Sequence, residues 1–160
     1  MTRVFRTGQG WVGVAASEKG VTAVVGPRPD RAQVVASLRG EAATAPHPVL
    51  DQAVAQLTAY YSGRPVTFDV PLDLSAQPPF RRKVLLEAAK IPCGQTISYG
   101  ELAERVGKPR AARAVGQAMA KNPVAPIVPC HRVIGADGSL VGFGGGVDMK
   151  ARLLETERNR

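Results

Sequence analysis

The spacing of apolar residues changes several times along the chain, and each change predicts an element. Residues 11–16 and 21–25 are short apolar runs of the kind that forms strands. Ser17, Glu18, Lys19 and Gly20 between them predict a hairpin turn, with Gly20 supplying a backbone angle closed to other residues. Asp30 is a predicted cap for a helix over 30–39, with Val34, Val35 and Leu38 as its inner stripe. Beyond a break at 46–48, Leu50, Val54, Leu57 and Tyr61 recur at helical spacing, which predicts a helix over 49–62 ended by Gly63. Val66, Phe68 and Val70 alternate and predict a short strand.

Residues 71–79, PLDLSAQPP, favour no regular structure, so a domain boundary is expected there: 1–74 a small α/β domain, 75–160 a second domain. The second half reads as short helices. Positions 80, 84, 85 and 88 are apolar in a helix from Phe80 to Lys90 that Pro92 stops. Ser98 and Glu101 have the spacing of a capping box, with a helix to about Val106. Gly107, Lys108 and Pro109 interrupt it, and a second helix runs from about Arg110 to Lys121 before Asn122-Pro123. Two short helices joined by a Gly-containing turn outline a helix-turn-helix. A last helix is expected over about 148–158. The fold class is therefore α+β.

Composition narrows the function classes. Hydrophobic residues are 44% of the 160, enough for a core, which excludes a wholly disordered chain. No window approaches the roughly 18 apolar residues of a membrane span, and the first residues lack a secretory apolar stretch; a soluble cytoplasmic protein is expected, with no membrane partner. The formal net charge is +8 and uneven: residues 1–72 hold seven basic and five acidic side chains, residues 73–160 fourteen and eight. A basic second half suits a polyanion, nucleic acid before membrane, or simply a solvated basic surface; charge leaves both open. Two cysteines, Cys93 and Cys130, and two histidines, His47 and His131, fit neither a disulfide scaffold nor a usual zinc spacing, so no metal and no cofactor are expected.

The helix over 110–121 is unusual. Ala111, Ala112, Ala114 and Gly116 make a nearly bare face on which Arg113 is the one long side chain. Such a face lets a helix backbone approach the minor groove, or pack closely on a neighbouring helix. After Asn122-Pro123, an apolar approach leads to Pro129-Cys130-His131-Arg132-Val133. A thiolate is a nucleophile when a base or positive dipole populates it. On an extended segment Cys130 and His131 point apart, so a bridging water would connect them. A carboxylate beyond His131 would fix its tautomer, and the last helix offers Glu155 and Glu157. A buried structural thiol and an interior histidine fit the same residues.

These motifs, Ile91-Pro92-Cys93-Gly94-Gln95-Thr96 through Ser98-Tyr99-Gly100-Glu101-Leu102-Ala103, Arg113-Ala114-Val115-Gly116, Asn122-Pro123 and Pro129-Cys130-His131-Arg132-Val133, stand in the order found in the 6-O-alkylguanine-DNA alkyltransferases. The chain from about Phe80 to Glu157 resembles these methylated-DNA–protein-cysteine methyltransferases. The resemblance implies a ribonuclease-H-like first domain and a winged helix-turn-helix second domain, with the wing turn at Gly135-Ala136-Asp137-Gly138. It implies that double-stranded DNA carrying an alkylated guanine is the partner and that Cys130 accepts the alkyl group irreversibly. His131 would deprotonate Cys130 through a water, with Glu157, by its spacing from the motif, as carboxylate partner. Asn122 would brace the turn before the active-site segment. Arg113 would fill the gap left by the flipped base, and Tyr99 would press on the target phosphate. Ala111, Ala112, Ala114 and Gly116 would meet the groove, while Met119, Val141, Gly142, Phe143 and Gly144 would line the lesion pocket. Cooperative self-assembly along DNA is a further partner the resemblance leaves open.

The sequence departs from the family at Cys93, where an aromatic residue or proline is commoner, and at Phe143, where many relatives have Tyr. Three other readings compete. A non-catalytic lesion-binding relative usually lacks the acceptor cysteine, which is present here. A winged-helix regulator with a redox-sensing Cys130 would need more base-reading side chains. A cysteine hydrolase would turn over many times.

Overall fold

The computed structural model describes residues 1–136 and 147–158. The fold mixes α and β. It divides into two units, Met1–Leu74 and a second beginning at Ser75.

In the first unit β1 (Thr2–Thr7), β2 (Gly10–Ala16) and β3 (Val21–Arg28) form an antiparallel sheet in that order. β2 is central and covered, which explains its unbroken apolar run. A Cβ on Gly13 would overlap Leu38 Cδ1 and Val34 Cγ1, so glycine lets the helix α1 (Arg31–Ser37) lie close against the sheet without displacing those side chains. Val12 and Val14 point to the opposite face and are also buried. Asp30 caps α1 by accepting from the Ala32 amide at 3.0 Å. The predicted inner stripe needs one correction: Val34 is buried, but Val35 is 46% exposed. α2 (Pro48–Tyr61) is capped by His47, whose Nδ1 accepts from the Leu50 amide, and it buries Leu50, Ala53, Leu57, Tyr60 and Tyr61.

Two sequence expectations are overturned here, and one strand has no counterpart in the sequence reading. β1 carried no predicted strand, because Arg3 and Arg6 break the alternation of TRVFRT, yet it pairs with β2 throughout. Residues 66–70 form no strand. Phe68 instead packs 5.4 Å from Tyr60, the Val70 amide donates to Gln56 Oε1, and only Leu72 bridges β3, at Val21. Pro71 has no N–H with which to extend a ladder. Gly20 does close the hairpin, through the Ser17 amide and Gly20 carbonyl, but it has no positive φ. Glycine is needed there because a Cβ would meet the Pro71–Leu72 backbone at 2.6 Å.

The second unit contains α3 (Pro79–Ala88), β4 (Ile97–Ser98), α4 (Tyr99–Arg105), α5 (Ala112–Ala120), β5 (Val133–Ile134) and α6 (Val147–Arg158). α3, α4 and α5 pack together through buried Val84, Leu85, Ala88, Leu102, Ala103, Val115, Ala118 and Met119. Ser98 Oγ accepts from the Glu101 amide at 3.0 Å and starts α4; Gly107, at φ +79°, turns the chain toward α5. β4 and β5 pair in parallel, a contact the local pattern did not predict. It joins the start of α4 to the residues following Cys130. Among the described residues no helix is long and apolar enough to cross a membrane.

Candidate active site

Cys130 opens a single 3-10 turn, Cys130–Arg132, rather than lying on an extended strand. The expectation that Cys130 and His131 sit on an extended segment is therefore corrected: Pro129 O accepts from the Arg132 amide and curls the segment. The approach is held from behind by Asn122. Its Nδ2 donates to Val128 O at 2.8 Å and its Oδ1 accepts from the Val124 amide at 3.0 Å, closing residues 122–128 into one braced turn. Cys130 is 4% exposed. Burial pushes its thiol up from the ordinary value, and the Asn122 side chain and the Lys150 ammonium pull against that rise.

His131 is fully buried. Its Nε2 lies 2.6 Å and 3.0 Å from the two carboxylate oxygens of Glu157 on α6. Glu157 is 3% exposed, whereas Glu155 faces solvent. Arg132 Nε donates to the same two oxygens at 2.7 Å and 3.0 Å, and its Nη1 donates to Ile91 O at 2.6 Å. Burial alone would push the Glu157 carboxyl up. The His131 hydrogen bond and the Arg132 guanidinium outweigh it and hold the group down to about 2. Burial favours neutral His131 against the pull of Glu157. With Nε2 donating to an anion, the lone pair of the neutral ring resides on Nδ1.

A second cluster adjoins the thiol. Tyr99, first residue of α4, is half-buried, and its hydroxyl accepts from Lys150 Nζ at 3.4 Å. Lys150 Nζ donates to Val133 O at 2.5 Å and stands 5.5 Å from the Tyr99 ring centre. Burial raises the Tyr99 hydroxyl and lowers the Lys150 ammonium, and each is also under the influence of Cys130. A Cβ on Gly116 would sit 3.9 Å from the Tyr99 ring, so α5 passes close to this cluster. Arg113 and Ala114 are exposed on α5, Ala111, Ala112 and Gly116 are half-exposed, and Met119 faces the core.

Thus Cys130, His131, Glu157, Asn122 and Tyr99 gather around one turn, while Arg113 lies on the outer face of α5. Val141, Gly142, Phe143, Gly144 and residues 137–138 of the expected wing turn lie outside the described residues. Sequence reasoning misses two participants. Lys150 stands seven residues before Glu157, so a helix presents both on one face, and that spacing is the available signal. Arg132 is visible in the motif, but nothing local indicates that its charge is buried. Among the described residues no three His, Cys, Asp or Glu side chains converge as metal ligands.

Comparison with known proteins supplies the family. The model of the DNA-binding domain of 6-O-methylguanine DNA methyltransferase matches residues 79–159, just over half the chain. A methylated-DNA–protein-cysteine methyltransferase of Mycobacterium bovis is 54% identical over 108 residues, which are 68% of this chain and 65% of that protein. One of the same name from Methanosarcina mazei is 51% identical over 104 residues, 65% of each. The match thus spans slightly under two thirds of these relatives. The crystal structure of Mycobacterium tuberculosis OGT in complex with DNA superposes with a TM-score of 0.82 at 40% identity, covering 99% of this chain and 92% of that one. The O6-methylguanine-DNA methyltransferase of Pyrococcus kodakaraensis gives 0.71 at 27% identity, covering 98% and 99%. The stretch matched by the family model contains the braced turn, the 3-10 turn and the whole of α6, and the likeness of the backbone extends over nearly the whole chain; this chain belongs to the 6-O-methylguanine DNA methyltransferase family.

Proposed function

We propose that the protein repairs DNA by transferring an alkyl group from the 6-oxygen of an alkylated guanine to its own Cys130, once per molecule. The carrying observation is a buried thiol beside a histidine whose far nitrogen is held by a buried carboxylate, within the stretch matched by the model of the 6-O-methylguanine DNA methyltransferase DNA-binding domain.

In this reading the Cys130 proton passes through a water to His131 Nδ1, and Glu157 stabilises the imidazolium that forms. The sulfur attacks the alkyl carbon, the carbon–oxygen bond breaks, and its electron pair stays on the guanine oxygen. The guanine anion then takes up a proton. The Tyr99 hydroxyl stabilises the developing charge, and Lys150 orients it: an ammonium only donates, so Tyr99 Oη accepts from it. Asn122 keeps the approach turn closed. The thioether product has no leaving group that water can displace under mild conditions, so the protein inactivates itself.

The alkylated oxygen lies inside a duplex, so the base must leave the stack, at a cost of about a few kcal/mol. The outer face of α5 supports minor-groove entry: Ala111, Ala112, Ala114 and Gly116 permit close approach, and Arg113 fills the vacated place. Met119, Val141, Gly142, Phe143 and Gly144 form the lesion pocket in this proposal. The first unit is a ribonuclease-H-like domain over 1–74 and the second a winged helix-turn-helix domain over 75–160, for which the α4–turn–α5 pair is the support. A reducing cytoplasm keeps Cys130 a thiol.

The test is intact-protein mass spectrometry after incubation with a duplex carrying one 6-O-methylguanine. A gain of one methyl group per molecule, mapped to Cys130, is expected. Lesion binding by folded, reduced protein without a mass gain refutes the transfer.

A further inference from the structure

We propose that Arg132 is a positioning residue of the transfer: its guanidinium fixes Glu157 as an anion, so that His131 meets the thiol as a neutral base. This rests on the reading of Cys130 as alkyl acceptor.

Two donors converge on one carboxylate. Arg132 Nε and His131 Nε2 each reach both oxygens of Glu157, at 2.7 Å and 3.0 Å and at 2.6 Å and 3.0 Å. The guanidinium is anchored on its other side by Ile91 O, 2.6 Å from Nη1, in the segment after α3. Its position is therefore set by α6 and that segment together. All three side chains are buried, so none can exchange its partner for water.

The charge count follows from the geometry. Arginine keeps its proton under all protein conditions. Arg132 and Glu157 therefore cancel, and the neutral state of His131 leaves no net charge among these three side chains. Protonating His131 would set two cations against one carboxylate, with the Lys150 ammonium as a third positive group. Among the described residues, the charged groups acting on His131 are Glu157 and Lys150 from α6 and Arg132 from its own turn. Glu157 favours the imidazolium; burial, Arg132 and Lys150 oppose it.

Removing the Arg132 charge reverses the balance. A buried carboxylate would then depend on His131 alone, and a proton on the ring would become its counter-charge. An imidazolium donates from both nitrogens and cannot take the Cys130 proton. Arg132 thus acts on the reaction through His131 and touches no reacting atom.

The test follows the ring nitrogens of His131 by 15N NMR in the DNA-free full chain. In the unaltered protein His131 is expected to be the neutral Nε2–H tautomer at pH 7. In Arg132→Gln, which keeps an amide donor toward Glu157, its protonation midpoint is expected to rise by at least about one pH unit, a tenfold gain in proton affinity. Adding Glu157→Gln removes the orphaned anion, and the midpoint is expected to fall back to the starting value or below. Arg132→Lys keeps the charge and is expected to hold the midpoint within about half a pH unit of it. The acid limb of the methyl-transfer pH profile is expected to move with the midpoint. A purely structural role would lower stability without moving it. An unmoved midpoint in Arg132→Gln overturns the proposal, and so does an imidazolium at pH 7 in the unaltered protein, a measurement that needs no variant to fold. Loss of transfer in the unaltered protein would instead refute the acceptor role of Cys130, and the titration would still decide the role of Arg132.

Discussion

Replacing Glu157 by glutamine removes a charge with almost no change in shape. Its carboxyl is held down from an ordinary 4.5 to about 2 in the folded chain, by His131 and Arg132 against the cost of burial. That difference corresponds to about 3 kcal/mol of stability at neutral pH. The sign is that of a depressed acid: the contribution is complete above the unfolded value, near 4.5, and is lost as pH falls through the folded value. Glu157→Gln also leaves Arg132 buried without a counter-charge, which costs about 3–5 kcal/mol in comparable broken pairs and overlaps the first figure rather than adding to it. Urea unfolding followed by far-ultraviolet circular dichroism should therefore show the variant about 3–5 kcal/mol less stable at pH 7. By pH 3 the unaltered protein has lost part of the advantage, and the gap should narrow by about 2 kcal/mol. A gap that stays constant from pH 7 to pH 3, or one below about 0.5 kcal/mol at pH 7, would refute the reasoning, because it would mean the carboxylate is solvated or neutral in the folded chain.

Other expectations are simpler to check. Cys130→Ala should abolish methyl transfer by mass spectrometry while leaving lesion-duplex affinity, measured by fluorescence anisotropy, within about threefold. Arg113→Ala should change stability by less than about 0.5 kcal/mol, since the side chain is exposed, but slow single-turnover repair at least about tenfold; normal repair would remove Arg113 from the DNA interface. Lys150→Met should slow alkylation of Cys130 by iodoacetamide at neutral pH and move the rate profile to higher pH, read by peptide mapping that separates Cys93; an unchanged profile would show that the ammonium does not act on the thiol. Gly13→Val should destabilise the first unit by about 1–3 kcal/mol or more in thermal unfolding, because Leu38 and Val34 already occupy the space.

Local chemistry makes several elements legible from residue order alone. Asp30 caps α1, Ser98 caps α4, and the period of Leu50, Leu57 and Tyr61 marks α2, because each signal is complete within one or two turns of chain. Where pairing is remote, local pattern misleads. The strand-like alternation at 66–70 is spent on packing with Tyr60 and on a Gln56 hydrogen bond, and β1 pairs despite two arginines. Gly20 is special for a reason no neighbouring residue reveals: the chain of Pro71 and Leu72, about fifty residues on, lies where a side chain would be.

The site divides in the same way. Residue order singles out the proposed acceptor and base, since Cys130 and His131 are neighbours and the family motifs lie in order around them. It is also enough for the caps and breaks that start α4 and α5. How those residues are ionised is settled by folding. Arg132 and Glu157 are 25 residues apart, and Lys150 reaches Tyr99 across 51. Charge states depend on burial and on the partners that folding brings within about 3 Å, and neither quantity is written in any local stretch of chain.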